Sequence, residues 1–409
     1  MDHMEKLREY ARLVVRTGAN VQKDQLAVVN CSVENFEFGR MIVAEAYKAG
    51  AKDVIVFWND VRTNRLRFDN VGLDVLGNIP NWLAESRNYY AKQKAAVISI
   101  VGNDPEAYKG VESEKLKTSS KASAKAFEPY YKKMMNSEFQ WCVAAVPETK
   151  WAKKVFPELY EQEAIAKLWD AIFDAVRIGK GDVVKAWNDH KLFLAEKCRV
   201  LNDAHFDALR YKNSLGTDFT VGLQKEHIWE GGGELTPDQV YFFANMPTEE
   251  IFTAPDCRQA EGTLVSSLPL SYQGNLIEDF SLTFHDGEVT NYQAQKGEEY
   301  LKSLIETDEG SRRLGEVALV PHDSPISNTG ILFYDTLFDE NAACHFALGE
   351  CYPTNIRGGG KMNKEELIAV GGNQSDTHVD FMIGTNDLEI IGITKDGQEI
   401  PIFKNGNWA

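Results

Sequence analysis

The chain predicts an α/β N-terminal domain with a mainly parallel sheet, followed by an α+β C-terminal domain. Three observations predict it. In the first half, apolar runs of strand length alternate with stretches of helical period. Beyond about residue 200 the texture changes to hairpin-like runs punctuated by Asp-Gly turns. At 409 residues the chain also exceeds one ordinary core, since single cores stop growing near ~250–300 residues.

The elements follow in order. Met1–Val15 alternates charged with apolar residues and reads as an amphipathic helix, without the continuous apolar core of a signal peptide. Leu26–Cys31 is an apolar strand, and a helical stretch runs from Glu34 to Ala49, where Gly50 ends it. Asp53–Trp58 supplies the next strand, with Ala95–Val101 and Trp141–Val146 after it. Apolar strands separated by helices predict a parallel sheet covered on both faces. Asp104–Lys133, rich in Lys, Ser and Glu, reads as surface helix and loop. Helices continue from Glu158 to about Glu196, and hairpin-like runs follow from Val200, with turns at His285-Asp-Gly287 and Asp396-Gly397. The expected division is therefore 1–195 and 196–409.

Composition narrows the class. Hydrophobic residues at 43% and charged residues at 26% are ordinary for a soluble protein. A net charge of −17 argues against nucleic acid, which needs a basic footprint. No segment approaches the ~20 apolar residues that span a bilayer. The six cysteines are scattered, with no CxxC pair, and read as buried free thiols in a reducing compartment. The expected location is the cytoplasm.

Metal-liking residues gather in the last third. His378-Val-Asp380 lies on a strand-like run, where residues i and i+2 project from one face. The Phe-Met-Ile that follows makes this strand buried, and a buried Asp must be paired or metal-bound. A structural His–Asp hydrogen bond is the plainer alternative. Upstream come Glu250, Glu316, Glu340 and His345. Glu316 stands at the start of an apolar strand, whereas Glu340 and His345 flank Asn-Ala-Ala-Cys, read as a loop entering a helix. Four carboxylates and two imidazoles are enough for two divalent ions. Paired ions turn water into a nucleophile at neutral pH, so a hydrolase is the first reading. Tyr352, seven residues past His345, is a candidate donor to a developing oxyanion. His322 precedes Asp323, but a lone His-Asp pair among prolines is a poor metal signal.

Glycine motifs point away from nucleotides. Arg357-Gly-Gly-Gly-Lys361 lacks the P-loop spacing, and Gly231-Gly-Gly233 lacks the dinucleotide pattern. The turn after Leu26–Cys31 contains no glycine to admit a pyrophosphate, and no GxSxG elbow is present.

Longer strings carry a resemblance. Gly216-Thr-Asp-Phe-Thr-Val-Gly-Leu223, Glu250-Ile-Phe-Thr-Ala-Pro255, Phe338-Asp-Glu-Asn-Ala-Ala-Cys-His345, Ser375-Asp-Thr-His-Val-Asp-Phe-Met-Ile-Gly384 and Pro401-Ile-Phe-Lys-Asn-Gly-Asn-Trp408 together resemble the thermophilic-type metalloaminopeptidases, the family of aminopeptidases T and S. Asn20-Val-Gln-Lys-Asp-Gln25 and Ala46-Tyr-Lys-Ala-Gly-Ala51 fit it too, so the likeness spans essentially the whole chain. The resemblance implies a C-terminal metallopeptidase domain and two divalent ions, with zinc, cobalt or magnesium the usual metals. It implies Glu250, Glu316, Glu340, His345, His378 and Asp380 as ligands, and leaves His322 outside. Tyr352 matches the tyrosine of the catalytic step, and a homodimer acting on peptides is implied as well. Cys344 and Phe219 are changes outside the ligand set.

The hypothesis is hydrolysis of the first peptide bond of a peptide, with Glu316 the bridging carboxylate and Glu250 or Glu340 the proton acceptor. Two other classes stay open at this point. One is a dinuclear phosphoesterase, for which Arg357 and Lys361 are the nearby basic candidates. The other is a non-catalytic α/β binding protein.

Overall fold

The computed structural model describes residues 1–102, 104–273 and 275–409. They form two compact units, one of residues 1–188 with 233–247, the other of 189–232 with 248–409.

The first unit is α/β. Its five-stranded sheet runs in the order Asn245–Met246, Trp141–Ala145, Ala96–Val101, Leu26–Ser32, Asp53–Asn59. Every pairing in it is parallel, Val28 lying between Ile55 and Val97. A central parallel strand is buried on both faces, which is why Leu26–Val29 at its start reads as an apolar run rather than alternating. One face carries the helix Phe36–Ala49, closed by Gly50 at φ 101°, a conformation that costs glycine no Cβ clash. On the other, Val28 and Val97 join a cluster with Ala91, Phe127, Tyr130 and Phe139. The segment 104–133 is largely helical; Ser113–Ala126 buries none of its residues, whereas Phe127 and Tyr130 after it enter the core. Residues 233–247 return to this unit through Asn245–Met246, a pairing two residues long that leaves no readable period.

The second unit is built from antiparallel sheets. The helix Val183–Ala204 continues past Val200, where hairpin texture was expected. Leu194 and Leu201 fall at helical spacing into the core, and the first strand begins only at Ala208. A nine-stranded sheet includes the long hairpin Asn275–His285 and Glu288–Lys296 around Asp286-Gly287. It also includes Glu389–Ile393 with Glu399–Lys404 around the Asp396-Gly397 turn. A five-stranded sheet runs His378–Met382, His345–Gly349, Leu314–Leu319, Ile251–Thr253, Glu230–Gly231. The two sheets meet through aromatic rings: Phe346 lies 5.1 Å from Tyr211 and 5.4 Å from Phe219, and Phe381 lies 5.9 Å from Phe280. All six cysteines are free. Among the described residues no helix is long and apolar enough to cross a membrane.

Candidate metal centre

The five-stranded sheet separates two chemistries by its pleat. Successive side chains alternate between faces. Ile251, Val317, Leu319, Phe346, Leu348 and Phe381 point into the apolar core. The intervening positions take the other face. Glu316 lies in register with Ala347 and Asp380, and Ala318 with His345 and Met382. Gly349 lies opposite His378, and Glu250 leads into the strand whose Phe252 pairs with Ala318. Ala318, Ala347 and Gly349 are small, so they leave room on that face for the long polar side chains beside them.

One irregularity makes this possible. The register of Leu314–Leu319 against His345–Gly349 shifts between Leu314 and Glu316, which leaves Gly315 as the extra residue of a β-bulge. Glu316 is thereby turned to the polar face and buried, not left at a solvent end. A glycine breaking the apolar alternation inside a strand was the available signal for this bulge. A second revision concerns His345. It opens a strand, and the helical turns Thr336–Asp339 and Glu340–Ala342 precede it, so the order is helix into strand.

On this face ligand-type atoms converge in two groups of three. Glu250, Glu316 and His345 form one, and Glu316, His378 and Asp380 the other, each with its donor atoms within 4.8 Å of one another. Glu316 belongs to both. His345 Nε2 lies 3.2 Å from Glu250 Oε2 and 3.5 Å from Glu316 Oε1. His378 Nε2 lies 3.3 Å from Asp380 Oδ1 and 3.6 Å from Glu316 Oε2. Each imidazole is oriented by its other nitrogen: His345 Nδ1 is 3.0 Å from the Ala343 carbonyl, and His378 Nδ1 is 2.7 Å from the Glu350 carbonyl. Those Nδ1–H donations direct each Nε2 at the carboxylates, the ring orientation of a metal-ligating histidine.

Burial and like charge set the electrostatics. Burial pushes the Glu316 carboxyl up, and burial together with the Glu250 and Asp380 charges pushes Glu340 well above the ordinary range. Burial pulls His378 down, but Asp380 and Glu316 outweigh it and raise the imidazole to about 10. Asp380 is lowered because His378 and His345 overcome its burial. His345 Nε2 and Asp380 Oδ1 are buried without an aligned hydrogen-bond partner in the protein. A set of buried oxygens and imidazole nitrogens with such unsatisfied atoms fits divalent cations, which take this mixed O/N donor chemistry.

Glu340 stands apart. Its carboxylate feels the charges of the others but belongs to neither group of three, and its Oε1 is 3.3 Å from Asn341 Nδ2. Tyr352 presents its ring edge-on to His378 at 5.2 Å and lies 5.6 Å from Phe252. Burial, then the Glu316 and Asp380 charges, hold its phenol well above the usual value, so the hydroxyl remains a donor. His322 is in neither group and its backbone N–H donates to the Gly406 carbonyl. Arg357 is exposed and paired with Glu226 at 3.3 Å. Asn373 passed unnoticed in the sequence. Buried, it donates to the carbonyls of Gly310, Arg313 and Gly349 and ties down the backbone opposite His378. A lone Asn between glycines and polar residues carries no periodic signal that could have found it.

Comparison with known proteins places these features in context. A family model described as thermophilic metalloprotease (M29) matches residues 3–408. Aminopeptidase AmpS of Bacillus subtilis is 47% identical over 405 residues, covering 99% of this chain and 98% of its own length. The structure of wild-type AmpT from Thermus thermophilus matches with a TM-score of 0.94 at 38% identity, over 100% of both chains. A 2,5-dihydroxypyridine dioxygenase from Pseudomonas putida matches with a TM-score of 0.56 at 13% identity, over 100% of this chain and 98% of its own. Likeness at that identity concerns the fold alone.

Proposed function

The chain belongs to the thermophilic metalloprotease (M29) family, and on that premise we propose that it is a metalloaminopeptidase using two divalent ions to remove N-terminal residues from peptides. The observation that carries the reading is the sharing of Glu316 between two groups of three donors. Glu250, Glu316 and His345 would hold one ion and Glu316, His378 and Asp380 the other, with Glu340 the remaining carboxylate. Divalent ions supply Lewis acidity there and bring the pKa of water towards neutrality.

The chain's own residues do the rest. Glu250 or Glu340 accepts the proton of the attacking water and returns it to the leaving amine. Tyr352 donates a hydrogen bond from its hydroxyl to the tetrahedral oxyanion. The acidic face attracts the free α-ammonium group of a peptide, which accounts for cleavage at the terminus. Zinc, cobalt and magnesium all suit an oxygen-rich site of this kind, where availability helps to decide. The functional form is a homodimer working in the cytoplasm.

The relatives' names support the peptide substrate. A phosphoesterase would need basic groups on the phosphate. Of the two basic candidates, Arg357 is exposed and engaged with Glu226. The test is release of the N-terminal residue from a panel of chromogenic amino-acid amides, with metal analysis of the same preparation. Activity that chelator abolishes and added metal restores is expected. Chelator-insensitive turnover, or none on any amide or peptide, overturns the reading.

A further inference from the structure

We propose that Asn341 is a positioning residue that locks the Glu340 carboxylate to the backbone entering Glu250. The inference rests on the two-ion reading above. Asn341 is fully buried, with 0% of its surface exposed. Its Oδ1 accepts from the Glu249 backbone N–H at 2.7 Å, and its Nδ2 donates to the Leu337 carbonyl at 2.9 Å. An N–H on one side and a carbonyl on the other permit one orientation of the amide. Nδ2 is therefore fixed as the nitrogen, and its second proton goes to Glu340 Oε1 at 3.3 Å.

The amide's own footing is rigid. Asp335 caps the helix Thr336–Asp339 by accepting from Leu337 N. Asp339 accepts from the backbone N–H groups of Phe333 and Asp335. The Leu337 carbonyl is thus anchored, and the Asn341 amide carries that anchorage across to residue 249. Glu340 needs such a hold, because Glu250, Asp380 and Glu316 all repel it. A neutral donor offsets that repulsion without adding a cation that would compete for the carboxylates. Removal of outer hydrogen-bond partners of metal ligands typically costs ~10–100-fold in metal affinity.

The experiment loads the full-length protein with zinc and measures the ions retained against graded chelator, with circular dichroism as a fold control. Asn341→Asp keeps an acceptor for Glu249 N–H but removes the donor to Glu340. Asn341→Ala removes both. The wild type is expected to retain two ions. Both variants should stay folded and release one ion at ~10–100-fold lower chelator, and kcat should fall with KM little changed. Wild-type retention in both variants overturns the proposal. So does loss of fold in both, which makes the amide a structural brace only. A wild type that holds no zinc overturns the two-ion reading itself, whatever the variants do.

Discussion

Leu314 and Glu316 lie two residues apart on one strand yet face opposite sides of their sheet. Leu314 pairs with Leu348 and sits in the apolar core, while Glu316 pairs with Ala347 on the polar face. Only an inserted residue reconciles the two, and Gly315 is that residue. A Cβ there would lie 2.3 Å from the Gly349 carbonyl oxygen and 2.5 Å from that of Glu350. Both are backbone atoms, so no side chain can swing aside. Gly315→Ala is expected to cost about 1–3 kcal/mol, the usual range for overpacking, and to swing Glu316 out of both donor groups. Urea midpoints and metal content check this. A variant with the wild-type midpoint and two bound ions would refute the bulge argument.

Tyr352→Phe separates catalysis from architecture. The ring contacts with Phe252 and His378 survive the change, because they belong to the ring and not to the hydroxyl. Turnover on an amino-acid amide should fall by about 10²–10³-fold, the loss seen when one oxyanion donor is removed. Metal content should be unchanged. Loss of metal along with activity would show instead that the phenol serves the structure of the site.

Metal removal should also destabilise the fold. Glu250, Glu316, Glu340 and Asp380 are held close together by the sheet and the turn Glu340–Ala342, and bound cations would relieve their mutual repulsion. An ion present at a hundredfold excess over its Kd stabilises the native state by about 2.7 kcal/mol. Chelator should therefore lower the thermal midpoint, and readdition of zinc or cobalt should restore it. A midpoint indifferent to chelator would mean that the cluster holds no ion in solution.

How much of this was legible follows from the kind of signal each feature leaves. The parallel sheet was readable because doubly buried strands carry unbroken apolar runs such as Leu26–Val29. The Asp-Gly hairpins were readable because their turns demand those residues. His378 and Asp380 were readable as a pair because strand spacing puts them on one face. The strand at His345 was not, since Asn-Ala-Ala-Cys suits a helix locally and the pairing with residues 316–318 is non-local. Asn341 was hidden for the same reason: its value lies in partners at 249 and 337, one of them 92 residues away.

Acid sensitivity has a separate source in His227. Its ring is buried and stacks on His205 at 4.8 Å between centroids, nearly parallel at 6°. Nδ1 lies 2.7 Å from the Gln224 carbonyl, and Nε2 has no hydrogen-bond partner among the described residues. Burial lowers the imidazole to about 4, with His205 adding to the effect, against attraction from Asp207 and Glu226. In the unfolded chain the group titrates near ~6.5. Between those values the unfolded state binds the extra proton, so stability rises with pH there. The contribution is complete above about pH 6.5 and is lost as pH falls towards 4, by on the order of 3 kcal/mol. His227→Phe keeps the stack and removes the titration. Its urea midpoint should fall less than the wild type's between pH 7 and pH 5, and equal falls in the two proteins would place the acid-sensitive group elsewhere.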